Sequence, residues 1–443
     1  MIIDFTVENW MSFKDEVSFS MIASRERQHN ERVPKIKKHQ MRLLPISAIY
    51  GGNASGKSNF VKAIRFAQKL IVDGTGLDKP IPCEPFILDE DSTGKPCSFK
   101  FTLLIDGNVY EFGFSVTRKS VIEEKLVQIS STSEKTLYQR TGDKIKWDRS
   151  LEKDDFLKFA FRGTDHNQLF LTNSVSQKVE NFRSVYDWFK DQLVTIEPTS
   201  RFANFELLTN KNSPISDPVN QVLSHIDTGI NRLGTQDINL ENFPESLLKD
   251  IREDLDEKHL AELTNEKERI IFQIEDGDLK AKRLIAYHPK QDGSEIPFDM
   301  DQVSDGSKRV VDLLPAFVSL ARPDSNKVYI IDELDRSLHT ILLRELLEAY
   351  LLSCNPESRS QLIFTTHDVL LMDQNLLRRD EMWVAEKNSE FTSNLISFAE
   401  YKDIRNDKDI RKSYLQGRFG GIPRILLGNS LQDSSDCCHK SEK

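Results

Sequence analysis

The run Gly51-Gly52-Asn53-Ala54-Ser55-Gly56-Lys57-Ser58, followed by Asn59, satisfies G-x-x-x-x-G-K-[ST], a spacing suited to phosphate. Glycines let several backbone N–H groups converge on phosphate oxygens, and a helix starting just behind them adds partial positive charge. In such a loop Lys57 reaches the β- and γ-phosphates and Ser58 holds Mg²⁺. A second group of residues lies far downstream, where the apolar run 328–331 ends in Asp332-Glu333. The carboxyl end of a parallel strand opens onto a ligand crevice, so Asp332 is placed to reach Mg²⁺ and Glu333 to polarise an attacking water. A third apolar run, 361–365, ends in Thr366-His367-Asp368, and His367 is the candidate contact to the γ-phosphate or that water. Each motif alone has a bland reading: a glycine turn, a strand ending at the surface, a structural histidine. Together in one chain they point to a triphosphate site.

The elements needed to position these groups are legible around them. Residues 43–50 read as a buried strand, and Phe60, Val61, Ile64, Phe66, Ala67, Leu70 and Ile71 recur at helical spacing behind the loop. Residues 1–22 alternate apolar and polar on either side of Asn9-Trp10-Met11-Ser12-Phe13, which predicts two antiparallel strands. A basic stretch, Arg25, Arg27, Arg32, Lys35, Lys37, Lys38 and Arg42, reads either as a solvated hairpin or as a contact to nucleotide or nucleic acid. Residues 99–116 predict a hairpin turning at Asp106-Gly107-Asn108, with another strand at 125–129. Residues 169–193 read as helical, with Val185, Trp188, Phe189 and Leu193 facing the core. The segment 244–268 reads as one helix or a helical hairpin through Leu247, Leu248, Ile251, Leu255, Leu260 and Leu263.

Strand patterns return at 270–275 and 283–288, ahead of Val303-Ser304-Asp305-Gly306-Ser307-Lys308-Arg309. The helix that follows is apolar nearly all round, with a bend expected at Pro315. Beyond Glu333, Asp335 precedes a helix whose Leu338, Ile341, Leu342 and Leu346 are expected to face inward. The expected organisation is an N-terminal lobe over 1–200, a helical insertion over 201–268, a C-terminal lobe over 269–431 and a disordered tail over 432–443.

Composition sets outer limits. The 443 residues are 38% hydrophobic and 29% charged, values of a folded chain with a wet surface. No apolar run is long enough to span a bilayer and no signal pattern opens the chain, so a cytoplasmic location is expected. Five cysteines, Cys83, Cys97, Cys354, Cys437 and Cys438, lack paired ligand spacing, which argues against a zinc ribbon or a disulfide framework. The net charge of −10 confines any contact with DNA to a local patch.

The order of P-loop, Ser-x-Gly turn, Asp-Glu strand and strand-end histidine resembles that of the ABC-type ATPases. Within them, the opening run from Ile2 to Phe13 resembles the RloA-like group of prokaryotic defence ATPases, relatives of the RecF, Rad50 and structural-maintenance heads. So do Leu169-Phe170-Leu171-Thr172-Asn173-Ser174 and Tyr414-Leu415-Gln416-Gly417-Arg418-Phe419-Gly420-Gly421-Ile422-Pro423. The resemblance implies an α/β head with a RecA-like parallel-sheet core, an N-terminal antiparallel β subdomain, a short helical insertion and no long coiled coil. It implies ATP and Mg²⁺ as cofactors and hydrolysis of ATP. It also implies a homodimer or higher oligomer in which Ser304 and Gly306 cap the γ-phosphate held by the partner, with Asp335 in the crossing segment. Asp305 stands where the family has its second glycine, and no glutamine loop is assignable. The functional expectation is a switch that senses an invader and controls a separately encoded effector, a nuclease. Two alternatives are a RecF-like repair ATPase that binds DNA directly and a nucleotide-gated scaffold with slow hydrolysis.

Overall fold

Three neighbouring parallel strands decide where the chemistry of this chain sits. The computed structural model describes residues 1–76, 78–202, 205–210, 212–257, 260–264, 268–275, 277–401 and 409–421. Its central sheet has six strands in the order Leu193–Ile196, Val328–Ile331, Gln361–Thr365, Ile46–Tyr50, Met382–Lys387 and Ser393–Ser397, all parallel except the last. A strand covered on both faces must be apolar throughout, and Ile46–Tyr50, Val328–Ile331 and Gln361–Thr365 are buried at every position.

Side chains alternate between the two faces. Val328 and Ile330 join a core with the helix Lys57–Val72 and an antiparallel sheet, whereas Tyr329 and Ile331 join a second core with the helices Asp305–Ala321 and Thr340–Ser353. The antiparallel sheet has seven strands, running from Lys144–Trp147 through Glu134–Thr141, Val121–Ile129, Asn108–Val116, Cys97–Ile105 and Ile2–Glu8 to Val17–Ser20. The expected N-terminal pair and the hairpin around Asp106-Gly107 are both part of it. The longest helix among the described residues, Asp305–Ala321, has 17 residues and runs through Pro315, so none of them forms a long coiled coil. None is long and apolar enough to cross a membrane.

Several sequence expectations need correction. Residues 169–193 are not one helix: they break into Phe170–Ser176, Arg183–Asp187 and a π turn over Trp188–Gln192, after which the β-branched run Val194-Thr195-Ile196 enters the central sheet as an edge strand. The insertion over 201–268 is helical only in part. Its helix Glu245–Glu257 ends before Leu260, and Leu260 and Leu263 lie on the strand Leu260–Thr264 of a separate five-stranded sheet that also takes Arg232–Ile238. That helix packs Ile251 and Leu255 on Ile270, Phe272 and Ala281, so the leucine spacing serves two elements. In the helix Thr340–Ser353 the buried stripe is Leu343, Leu346, Leu347 and Tyr350, which turns Ile341 outward at 66% exposure. The tail over 432–443, with Cys437 and Cys438, and the last two residues of the Tyr414 to Pro423 run lie outside the described residues.

The basic stretch contains a small ribbon, Lys35–Ile36 with Met41–Arg42, and some of its cations have partners within the chain. Arg32 is buried on Glu381 at 2.5 Å, Lys38 donates to Asn108 Oδ1 at 2.8 Å, and Arg42 donates to Asn30 Oδ1. These three contacts fit the hairpin reading.

The Leu169 to Ser174 run acquires a physical reason in Glu124, which is fully buried. Its carboxylate accepts from the N–H groups of Phe170 and Leu171 at 2.6 and 2.8 Å and from the Tyr138 hydroxyl at 2.8 Å, with Arg140 at 3.8 Å. Burial pushes the carboxyl above its ordinary range, while Arg140 and these donors pull it back. Glu124→Ala strands two N–H groups and leaves the buried Arg140, held by the carbonyls of Gly142, Gln168 and Asp165, without its counter-charge, a change that costs about 3 to 5 kcal/mol. Urea denaturation of the variant checks this: a loss under 1 kcal/mol contradicts the assigned role.

Candidate functional site

The glycines of the phosphate loop are required by close approach as well as by backbone angle. Gly51 (φ 152°) and Gly56 (φ 110°) adopt conformations that L side chains rarely take. A Cβ on Gly51 meets the carbonyl oxygen of Ala385 and lies 2.7 Å from Ser55 Oγ. One on Gly56 lies 2.7 Å from Ser393 Cβ and 3.1 Å from Ser12 Oγ. The loop is thus pressed onto the neighbouring strand and onto the N-terminal turn, and the helix Lys57–Val72 starts directly behind it with unbonded N–H groups at its head.

Lys57 is buried and turned back on the loop, donating to the carbonyls of Gly51 (2.8 Å) and Gly52 (3.0 Å). Burial pulls its ammonium down to about 8, against the opposing pull of Asp332, Asp335 and Glu333. Ser55 Oγ, also buried, has no hydrogen-bond partner among the described residues. A cradle with an orphaned hydroxyl, a lysine parked on replaceable carbonyls and a helix N-terminus fits a polyphosphate.

The acids and the histidine converge because their strands are in register. Ile331 pairs with Phe364, and Thr365 with Ile49, so Asp332, His367 and the loop after Tyr50 all emerge at one end of the sheet. Thr365 ties them together: its hydroxyl donates to Asp332 Oδ1 at 2.6 Å and accepts from the Glu333 N–H at 2.8 Å. Glu333 itself has φ 48°, a left-handed conformation that costs a non-glycine residue about 1 kcal/mol or more. Such strain is held where the surroundings over-determine it, and Thr365 with the Leu334 N–H to Thr365 carbonyl bond (3.0 Å) does so here. Asp335 accepts from the His367 N–H through both oxygens, at 3.3 and 3.2 Å, within the same chain. Desolvation and then Lys57 lower the His367 pKa, against the opposing pull of Asp335, Glu333 and Asp332.

Asp332 and Ser58 offer hard oxygen donors. Mg²⁺ takes one or two carboxylates, phosphate oxygens and several waters rather than an all-protein cage. Among the described residues no cluster of three His, Cys, Asp or Glu could hold a metal alone.

Ser304 and Gly306 stand apart from this group. Ser304 caps the helix Asp305–Ala321, accepting from the Ser307 N–H at 3.2 Å, and is itself exposed. Gly306 packs on the segment after Glu333, where a Cβ comes within 2.8 Å of the Ser337 carbonyl. Among the described residues no hydrogen bond joins Ser304 or Gly306 to the phosphate loop. Asp305, in the place of a glycine, is exposed and reaches Lys308 at 3.6 Å.

Three contributors escaped the sequence reading. Thr365 was visible only as the last residue of an apolar strand, and a hydroxyl at that point is the signal. Ser12 bonds Asn59 Nδ2 and Ser393 Oγ, each at 2.8 Å, clasping the start of the helix. Glu197 follows the edge strand beside Asp332, whose N–H donates to Ile196 at 2.9 Å, and forms an ion pair with Arg65.

A glycine loop heading a helix, with acids at an adjacent strand end, defines a P-loop nucleotide-binding head. A family model described as "AAA domain, putative AbiEii toxin, Type IV TA system" matches residues 46–373, which run from the loop strand past His367, and the chain belongs to that family. Comparison with the curated proteins finds no match. Among solved structures, the SMC head domain from Thermotoga maritima is 12% identical, with 89% of this chain and 98% of that chain covered at a TM-score of 0.36. The SmcHead bound to the C-winged helix domain of ScpA is 12% identical, with coverages of 89% and 97% and a TM-score of 0.39. Superpositions this loose assign no residue a role.

The state of Lys57 makes a pH prediction. Burial holds its pKa at about 8, and an adjacent polyphosphate raises it. Binding therefore takes up a proton above pH 8, and affinity falls as pH rises through that value, by up to about tenfold per unit. Calorimetric titration with tripolyphosphate from pH 7 to 9.5 checks this; an affinity independent of pH contradicts it.

Proposed function

We propose that this chain is an ATP-hydrolysing switch of an anti-phage defence system, working as a dimer whose nucleotide state controls a separately encoded effector, a nuclease. The observation that carries the hydrolytic part is the meeting of Lys57, Asp332, Glu333 and His367 at one end of three adjacent parallel strands. In this reading the loop N–H groups and Lys57 hold the triphosphate, and Asp332 with Ser58 hold Mg²⁺. Held there by Asp332 and Ser58, Mg²⁺ would supply positive charge to offset the charge that develops on the phosphate oxygens. Glu333 takes the proton of the attacking water as its oxygen bonds to the γ-phosphorus, and the bond to the bridging oxygen breaks to release ADP. His367, its backbone N–H held by Asp335, orients that water or the γ-phosphate by hydrogen bonding.

The exposure of Ser304 supports a partner copy as the ligand of that turn, since its own loop does not meet it. The family description, a putative toxin of a type IV toxin–antitoxin system, supports a place among defence modules. The pairing of Arg32, Lys38 and Arg42 inside the chain and the net charge of −10 weigh against the RecF-like reading.

Lys57→Ala loses ATP binding. Glu333→Gln keeps binding, slows hydrolysis by about 10² to 10⁴ and accumulates a closed dimer, while His367→Ala slows the chemical step with near-normal affinity. Equilibrium binding, single-turnover hydrolysis and sedimentation check the three. An unchanged rate for Glu333→Gln removes the base assignment. For the defence role, co-purification of an untagged nuclease is expected; salt-sensitive direct binding to DNA instead favours repair.

A further inference from the structure

The run from Tyr414 to Gly421 has no part in the reading above, yet it is built onto the phosphate loop. The helix Ile410–Leu415 ends in a Schellman turn: Gly417 (φ 75°) donates to the Tyr414 carbonyl at 2.8 Å and Arg418 to the Ser413 carbonyl at 3.2 Å. The chain then crosses to the strand Met382–Lys387 with Phe419 buried against Tyr401 and Phe398, ring centroids 4.9 and 5.3 Å apart, and its carbonyl accepting from the Tyr401 hydroxyl at 2.7 Å. Gly420 and Gly421 follow at φ 71° and 67°. A Cβ on Gly420 collides with the Glu386 carboxylate, and one on Gly421 with Val384 Cγ1, on either side of the Ala385 carbonyl on which Gly51 rests. The carbonyl of Gly421 accepts two hydrogen bonds, from the Gly52 N–H at 2.7 Å and from the Tyr414 hydroxyl at 3.0 Å.

The peptide at Gly52 is therefore held from both sides, its N–H by Gly421 and its carbonyl by Lys57. A triphosphate draws Lys57 away and leaves the other hold in place. We propose that Gly421, fixed by Tyr414, is a positioning residue for the phosphate loop: it keeps the Gly51-Gly52 backbone open when Lys57 transfers to the nucleotide. The inference rests on the nucleotide reading of the site and adds the C-terminal segment to it. The segment also walls a cavity of about 830 Å³ at the rim of the loop, so it meets the loop at the mouth of the site.

Two variants test it, with Arg418→Ala, an exposed neighbour, as control. Tyr414→Phe keeps the ring and removes one donor, weakening ATP about threefold. Gly421→Ala, strained at positive φ and blocked by Val384, weakens it about tenfold or more. Both raise KM with kcat near normal and weaken tripolyphosphate by the same factor as ATP, because the hold acts on the phosphate cradle. Wild-type affinity in both variants overturns the proposal, and so does a loss confined to ATP with tripolyphosphate unaffected. Failure of the unmodified chain to bind either ligand instead overturns the nucleotide reading itself.

Discussion

The register between the Asp-Glu strand, the histidine strand and the loop strand is the constraint on which the site depends. With Ile331 opposite Phe364 and Thr365 opposite Ile49, the three chains turn off the sheet at one level. A slip of one residue in any of them would exchange its side chains between the two cores and move its polar end away from the others. Burial on both faces makes that slip expensive, so the packing that stabilises the sheet also aligns the chemistry. Thr365 converts alignment into contact, since one hydroxyl serves both Asp332 and Glu333.

Part of the loop backbone is bonded within the chain, while Ser55 Oγ is left without a partner among the described residues. Lys57 sits on two loop carbonyls and Gly52 on Gly421. These contacts offset part of the cost of burying a cation and a tight backbone turn, and only those of Lys57 have to break for phosphate to enter. The lowered Lys57 and His367 pKa values share one main cause, desolvation, and in both cases the cluster of Asp332, Glu333 and Asp335 opposes it.

Much of this was legible beforehand, for reasons that can be named. Motifs that use backbone geometry, such as Gly51 to Ser58, carry their structural demand in residue type, and doubly buried strands announce themselves as short apolar runs. The antiparallel hairpins were readable from period-two alternation. What escaped shares another property. Leu193 to Ile196 is a strand because a partner at Val328–Ile331 is available across 130 residues of sequence, and Leu260 and Leu263 leave the helical pattern for the same kind of reason. Thr365, Ser12 and Gly421 act through contacts with residues distant in the chain, which no local pattern records.

One feature of the geometry reaches beyond a single chain. Ser304 heads a helix packed on the segment after Glu333, but it is exposed and unconnected to its own loop, so the account requires a second copy to complete each pocket. The direct test mixes Lys57→Ala with Ser304→Arg, each inactive alone. A mixed dimer then holds one intact pocket, formed by the Ser304→Arg copy's loop and the other copy's turn. The account predicts recovery of roughly a quarter of the unmodified hydrolysis rate at equal amounts if pockets act independently. An active unmodified protein with no recovery in the mixture contradicts it.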